Sequence, residues 1–139
     1  MKIAVDFDGT IVKHAYPNIG SEIPFAFKTL KMLQKEHHQL ILWTVREGQL
    51  LDEAVEHCRQ NGIEFYAVNA NNPDELLGSE SYSRKIKADI YIDDLGIGGL
   101  PDWGQIYEMI HKKINYRTLI TKQLLKPENS RRKIWFFSK

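Results

Sequence analysis

The sequence predicts an α/β protein, a three-layer α/β/α arrangement around a mostly parallel sheet, and three observations predict it. Four short apolar runs read as strands: Lys2 to Phe7, Gln39 to Thr44, Ile63 to Val68 and Ala88 to Asp93. The segments between them repeat apolar residues at helical spacing. Strand and helix alternate along the chain, an order that a parallel sheet covered by crossover helices satisfies.

Each element has its own signal. Ile3-Ala4-Val5 forms the buried centre of the first strand and leads into Asp6-Phe7-Asp8-Gly9-Thr10. Ala26, Phe27, Leu30 and Leu33 give the first helix a modest apolar stripe. Leu51, Ala54, Val55 and Cys58 fall at i, i+3, i+4 and i+7, the buried face of a second helix, which places Cys58 in the core. Asn61-Gly62 supplies that helix with a C-terminal stop. A long connection, residues 69 to 87, is rich in Asn and Ser and leads into the fourth strand. Asp102 with Gln105 resembles a capping arrangement for a third helix, whose apolar face is Trp103, Ile106, Tyr107, Ile110 and Ile114. Beyond it, Leu119, Ile120, Leu124 and Leu125 suit a short apolar helix or strand.

Length and composition narrow the function. A chain of 139 residues makes about one domain, with room for one core and none for a large separate lid. With 42% apolar and 27% charged residues, the composition points neither to disorder nor to a membrane span. No apolar run approaches a spanning helix, and the start is too short in its apolar centre for a signal peptide. Cys58 is the single cysteine, which excludes intramolecular disulfides and cysteine-based zinc clusters. A cytoplasmic protein is the expectation. The net charge of +1 is unevenly spread: residues 117–139 hold seven bases and one acid, about +6, leaving about −5 on residues 1–116. Residues 1–116 are therefore expected to form the core. Residues 117–139, with Arg131-Arg132-Lys133 before Ile134-Trp135-Phe136-Phe137, form an extension suited to docking on that core or on a neighbouring subunit of a homo-oligomer. Basic and aromatic residues together also describe a nucleic-acid contact or a membrane-surface tail.

In parallel sheets ligands bind beyond the carboxyl ends of strands, and three of the four ends here are polar. The first carries Asp6 and Asp8, the second Trp43-Thr44-Val45-Arg46, the fourth Tyr91-Ile92-Asp93-Asp94. Residues i and i+2 of an extended segment point the same way, which aims Asp6 and Asp8 into one volume. Two carboxylates that close repel unless a proton or a cation offsets them, and Mg²⁺ is the hard cation that suits carboxylate oxygen. Gly9 allows a sharp turn and close approach of backbone N–H groups to a ligand. Each feature alone has a plain reading. Asp-Gly-Thr makes turns, Thr44 suits a strand or turn cap, Lys85 and Lys87 are ordinary solvated charges, and Asp93-Asp94 can open a Gly-rich turn. Their co-occurrence at neighbouring strand ends selects the functional reading.

Asp-Phe-Asp-Gly-Thr, a strand-terminal Thr44, a lysine and Asp93-Asp94, in that order, resemble the haloacid dehalogenase superfamily of phosphotransferases over about residues 1 to 115. The chain looks like a small capless branch, and the stretch His14-Ala15-Tyr16-Pro17-Asn18-Ile19-Gly20 is similar to a group of uncharacterised bacterial proteins. The resemblance implies a Rossmann-like fold, with strand order 3-2-1-4, and a Mg²⁺-dependent phosphatase acting on phosphate monoesters. Asp6 is the expected nucleophile, forming an aspartyl-phosphate, and Asp8 the expected acid and base. Thr44 is expected to hold a phosphoryl oxygen and Lys85, in preference to Lys87, to neutralise the transferred group. Asp6, Asp93 and the main-chain carbonyl of Asp8 are the expected metal ligands, with Asp94 binding through water or holding the lysine. Arg46 is a candidate to grip a phosphate or carboxylate of the substrate or, equally, to form a surface salt bridge, and His14 and Tyr16 to line the entrance. Two rivals compete: a phosphate-sensing or protein-binding module without catalysis, and a receiver-like phosphoacceptor. An acid/base two residues beyond the nucleophile argues against both.

Overall fold

A four-stranded sheet organises the computed structural model, which describes residues 1–76, 78, 80 and 83–125. In chain order the elements are β1 (Lys2–Val5), α1 (Ala26–Lys35), β2 (Gln39–Leu42), α2 (Gly48–Gln60), β3 (Ala67–Val68), β4 (Ile90–Ile92), α3 (Trp103–Lys112) and α4 (Tyr116–Leu124). Every pairing among these strands is parallel and the spatial order is β3-β2-β1-β4, the order that the resemblance implies. The chain divides into two compact units, Met1–Gly104 and Gln105–Lys139. The sheet, α1 and α2 belong to the first.

Register decides which residues share a face. Ala4 pairs with Ile41 and Ile41 with Ala67, so these three line one side, where Ile86 joins them together with Trp43, Tyr66, Ala70 and Ala88. Ile3, Val5, Leu40 and Leu42 alternate to the other side, and all are buried. The steps from β1 to β2 and from β2 to β3 run in one direction, so right-handed crossovers put α1 and α2 over the same face. Phe7 continues the odd-numbered side and fits that placement: its ring meets His57 of α2 edge-on at 6.4 Å, and Phe27 of α1 lies 5.8 Å from the same imidazole. Burying a ring of that size contributes about 1.5–3 kcal/mol. Cys58 is fully buried as its spacing predicts, and burial pushes its thiol up to about 12, which suits packing and not chemistry.

The strands are shorter than the apolar runs, for reasons visible in the backbone. After Val5 the chain keeps one more ladder bond, from the Asp6 N–H to the Ile92 carbonyl at 3.0 Å. It then coils, because the Phe7 carbonyl accepts from Thr10, Ile11 and Val12. The run from Ile63 pairs only at its end. The Ile63 N–H closes α2 on the Cys58 carbonyl and the Glu64 N–H goes to Gln34 Oε1, so Tyr66 is the first residue to bond the neighbouring strand.

Three helices end in the same two-bond closure, in which a residue of positive φ turns the chain back onto the last carbonyls. Gly62 does this for α2, with Gly62 and Ile63 donating to Arg59 and Cys58. His37 does it for α1 and Lys113 for α3. In the second unit, Ile106, Ile110 and Leu119 are buried. Asn115 caps α4 through its Oδ1, which accepts from the Thr118 N–H at 2.9 Å, and the segment that suited helix or strand is helical. The docking motif Ile134-Trp135-Phe136-Phe137 lies outside the described residues. Among the described residues no helix is long and apolar enough to cross a membrane.

Candidate active site

The turn that follows β1 is built around Gly9. Its φ of +85° lies in the left-handed region, its N–H bonds the Val12 carbonyl at 2.7 Å, and an added Cβ would collide with His14 Nε2 and Asp94 Oδ2. Gly9→Ala is therefore expected to cost about 1–3 kcal/mol through strain and overpacking, read from urea denaturation midpoints. Loss of the His14 imidazole's contact with Asp94, followed by NMR, should accompany it. An alanine variant with wild-type midpoint and an intact His14 signal would contradict this account of the turn.

Next to this turn, adjacent strands bring three carboxylates together. Val5 pairs with Ile92, so Asp6 and the Asp93-Asp94 pair leave neighbouring strands at the same level. One oxygen from each of Asp6, Asp93 and Asp94 lies within 4.8 Å of the others, and all three residues are half-buried. Thr10, fully buried, is the hub: its hydroxyl donates to Asp6 Oδ2 at 3.0 Å and accepts from the Asp94 N–H at 3.1 Å. Its carbonyl is fixed by the buried Trp103 indole N–H at 3.0 Å. His14 Nε2 sits 2.9 Å from Asp94 Oδ2, a pairing that raises the imidazole's pKa. The Asp6 carboxyl is pushed up to about 6, chiefly by burial and further by the charges of Asp93 and Asp94, against the lowering pull of the Phe7 N–H and Thr10 hydrogen bonds. A half-buried set of hard oxygen donors whose charges crowd one another fits a divalent cation of the Mg²⁺ type.

Asp8 stands apart from this cluster. The expectation that it shares a volume with Asp6 assumed an extended chain, and the coil after Phe7 breaks the alternation. Its carboxylate turns instead to Arg46, whose Nε reaches Oδ2 at 2.7 Å and whose Nη2 reaches Oδ1 at 2.8 Å. Both oxygens accept from N–H groups, the pattern of an ionised carboxylate. The metal ligand expected of Asp8 is its main-chain carbonyl, which this turn of the side chain leaves untouched.

Arg46 needs the larger correction. It is a buried residue, with a side chain of zero exposure. Besides the two bonds to Asp8 its guanidinium donates to the Pro17 carbonyl at 3.1 Å and the Asn18 carbonyl at 2.7 Å, committing four of the five donors an arginine has. It also lies over the Phe7 ring at 5.1 Å and the Tyr16 ring at 5.3 Å. Such a side chain has no fork left for substrate. Its partners Tyr16, Pro17 and Asn18 belong to an exposed loop pinned at its base by the Lys13 N–H on the Ser21 carbonyl at 2.8 Å.

Thr44 follows β2 beside this group. Its N–H is held by Asn69 Oδ1 at 2.8 Å and its hydroxyl oxygen accepts from the Arg46 N–H at 3.2 Å, which leaves the hydroxyl hydrogen to donate elsewhere. Lys85 is not brought to the carboxylates. Its ammonium lies over the Tyr91 ring at 5.3 Å, and it lines a concavity of about 530 Å³ with Lys2, Asn71, Ser83, Lys87 and Asp89. Lys2 and Asp89 begin their strands, and Lys2 is four residues, about 13 Å, from Asp6 along an extended strand. Lys85 and Lys87 therefore stand at the opposite end of the sheet from the acids, which corrects the expected lysine. Sequence reasoning gave Thr10 only a place in a turn and His14 only the entrance; the signal for both was their spacing from Gly9, whose turn draws them onto Asp94.

No protein-family model matches the chain, and no curated protein does. A solved structure of a conserved protein coded by a locus of Bacteroides thetaiotaomicron matches it with 61% identity and a TM-score of 0.81, covering 86% of this chain and 96% of that one.

Proposed function

The chain belongs to the family of that conserved Bacteroides thetaiotaomicron protein, and we propose that it is a Mg²⁺-dependent phosphohydrolase of haloacid dehalogenase type, cleaving phosphate monoesters through an aspartyl-phosphate. The observation that carries this reading is the meeting of Asp6, Asp93 and Asp94 at the carboxyl ends of adjacent parallel strands. Asp6, Asp93 and Asp94 would hold the ion, which when bound supplies charge neutralisation and orientation of the phosphate. The remaining steps belong to the protein. An Asp6 oxygen attacks phosphorus, and the bond from phosphorus to the ester oxygen breaks. Asp8 gives that oxygen its proton. Both Asp8 oxygens accept from Arg46 in the ionised form, so this role needs Asp8 to take up a proton before the first step. Water then attacks phosphorus, Asp8 takes the water's proton, and phosphate leaves with Asp6 restored. The hydroxyl hydrogen of Thr44, which its bond from the Arg46 N–H leaves available, would donate to a phosphoryl oxygen.

A panel of phosphate monoesters assayed with Mg²⁺ or EDTA tests the proposal. Many turnovers per chain with Mg²⁺ and none in EDTA are expected. One observation favours a second reading as phosphoacceptor: both oxygens of the Asp8 carboxylate are already engaged by Arg46. In that case the chain takes up a single long-lived phosphoryl group and releases no further product, and the hydrolase reading falls.

A further inference from the structure

We infer that Arg46 is a positioning residue, which fixes the aim of the Asp8 carboxylate and ties that aim to the loop of residues 13–20, so that the loop and the proton-transfer group hold one arrangement together. Asp8 sits in the turn between Phe7 and Val12, where an isolated bridge to Val12 orders the backbone but no helix or strand element carries the side chain. The two-pronged contact from Nε and Nη2 sets its direction. The same guanidinium binds the loop through the Pro17 and Asn18 carbonyls and the face of Tyr16. Arg46 is anchored in turn from the sheet side: Asn69 holds Thr44, and Thr44 Oγ1 holds the Arg46 N–H. A buried ion pair is an expensive way to fill space, and an apolar pair of equal volume would pack as well. What an ion pair adds is direction, and here it directs Asp8, a carboxylate outside the Asp6, Asp93 and Asp94 cluster.

The catalytic consequence rests on the phosphohydrolase reading, and the test separates the two. Arg46→Lys keeps the charge and loses the fork. Its kcat on an alkyl phosphate is expected to fall about 10²-fold with KM within about twofold, while a nitrophenyl phosphate, whose leaving oxygen hardly needs a proton, loses less than about tenfold. Equal losses on both esters, or a raised KM with kcat retained, overturn the inference and leave the hydrolase standing. A wild type that turns over no ester removes the hydrolase reading instead. A second arm needs no turnover and no Arg46 substitution: in Tyr16→Ala the Arg46 Nε–H, followed by NMR, is expected to exchange with solvent at least about tenfold faster than in wild type. Unchanged exchange would show that the loop does not hold the guanidinium, and the tie is then wrong.

Discussion

Asp6→Asn is expected to lower kcat on phosphate monoesters by about 10³-fold or more, because the amide neither attacks phosphorus nor gives the cation an anionic oxygen. The same substitution is expected to stabilise the metal-free chain at neutral pH. The native Asp6 carboxyl is raised from 3.8 to about 6, so between those values the folded state holds a proton that the unfolded chain has released. Stability therefore falls as pH rises through this window, and the contribution that is complete below 3.8 is gone above about 6. Asparagine, neutral at every pH, removes that slope. Thermal melts in EDTA from pH 4 to 8 should show wild type declining across the window and Asp6→Asn flat through it, with the variant the more stable at pH 8. Mg²⁺ should reverse the order, since only the wild type gains by binding it, and its affinity should weaken below about pH 6, where the proton competes. A variant that keeps turnover would remove Asp6 as nucleophile. One that melts in parallel with wild type across the window would remove the raised Asp6 carboxyl, and with it the burial and charge crowding said to raise it.

The elements that carry the carboxylates were legible from two signals. Short apolar runs locate the strands and helical spacing α1 and α2, and polar residues at strand ends mark the end of the sheet where the acids gather. Asn61-Gly62 was legible as a helix stop because glycine enters the left-handed region freely. His37 and Lys113 take the same position without that marker, so the ends of α1 and α3 give no such signal. The site was half legible for a related reason. Asp6, Asp93 and Asp94 meet through strand register, which sequence pattern encodes. The destination of Asp8 depends on where a coil turns and on Arg46, 38 residues away, being drawn inside. A formal charge reads as a surface residue in any one-dimensional pattern, and only the two carbonyls of the loop and the facing carboxylate make its burial tolerable. Lys85 failed from the opposite cause: spacing along the chain does not say on which end of a parallel sheet a residue before a strand will lie, and it lies at the end where that strand begins.

Arg46→Met is expected to cost about 3–5 kcal/mol, the largest stability loss of any substitution near the site, because it strands the Asp8 carboxylate without a counter-charge. The Asp8 side chain is 11% exposed, too little for water to replace a two-pronged guanidinium. Methionine fills the volume of the lost side chain, so a cavity is not the source of the penalty. The pair as a whole is a different matter. Taking two charges out of water offsets much of their attraction, so the double substitution Asp8→Leu with Arg46→Met is expected to recover most of the loss. The carbonyls of Pro17 and Asn18 belong to exposed residues that water can reach once the guanidinium is gone. Urea denaturation of the four chains closes the cycle, with unchanged m-values confirming that the same transition is compared. A double variant as unstable as Arg46→Met alone would mean that the loop carbonyls, and not the abandoned carboxylate, carry the energy. A double variant restored in stability yet inactive on every ester would separate what the pair does for folding from what it does for chemistry, and would make the retention of so costly a contact a matter of the aim of Asp8.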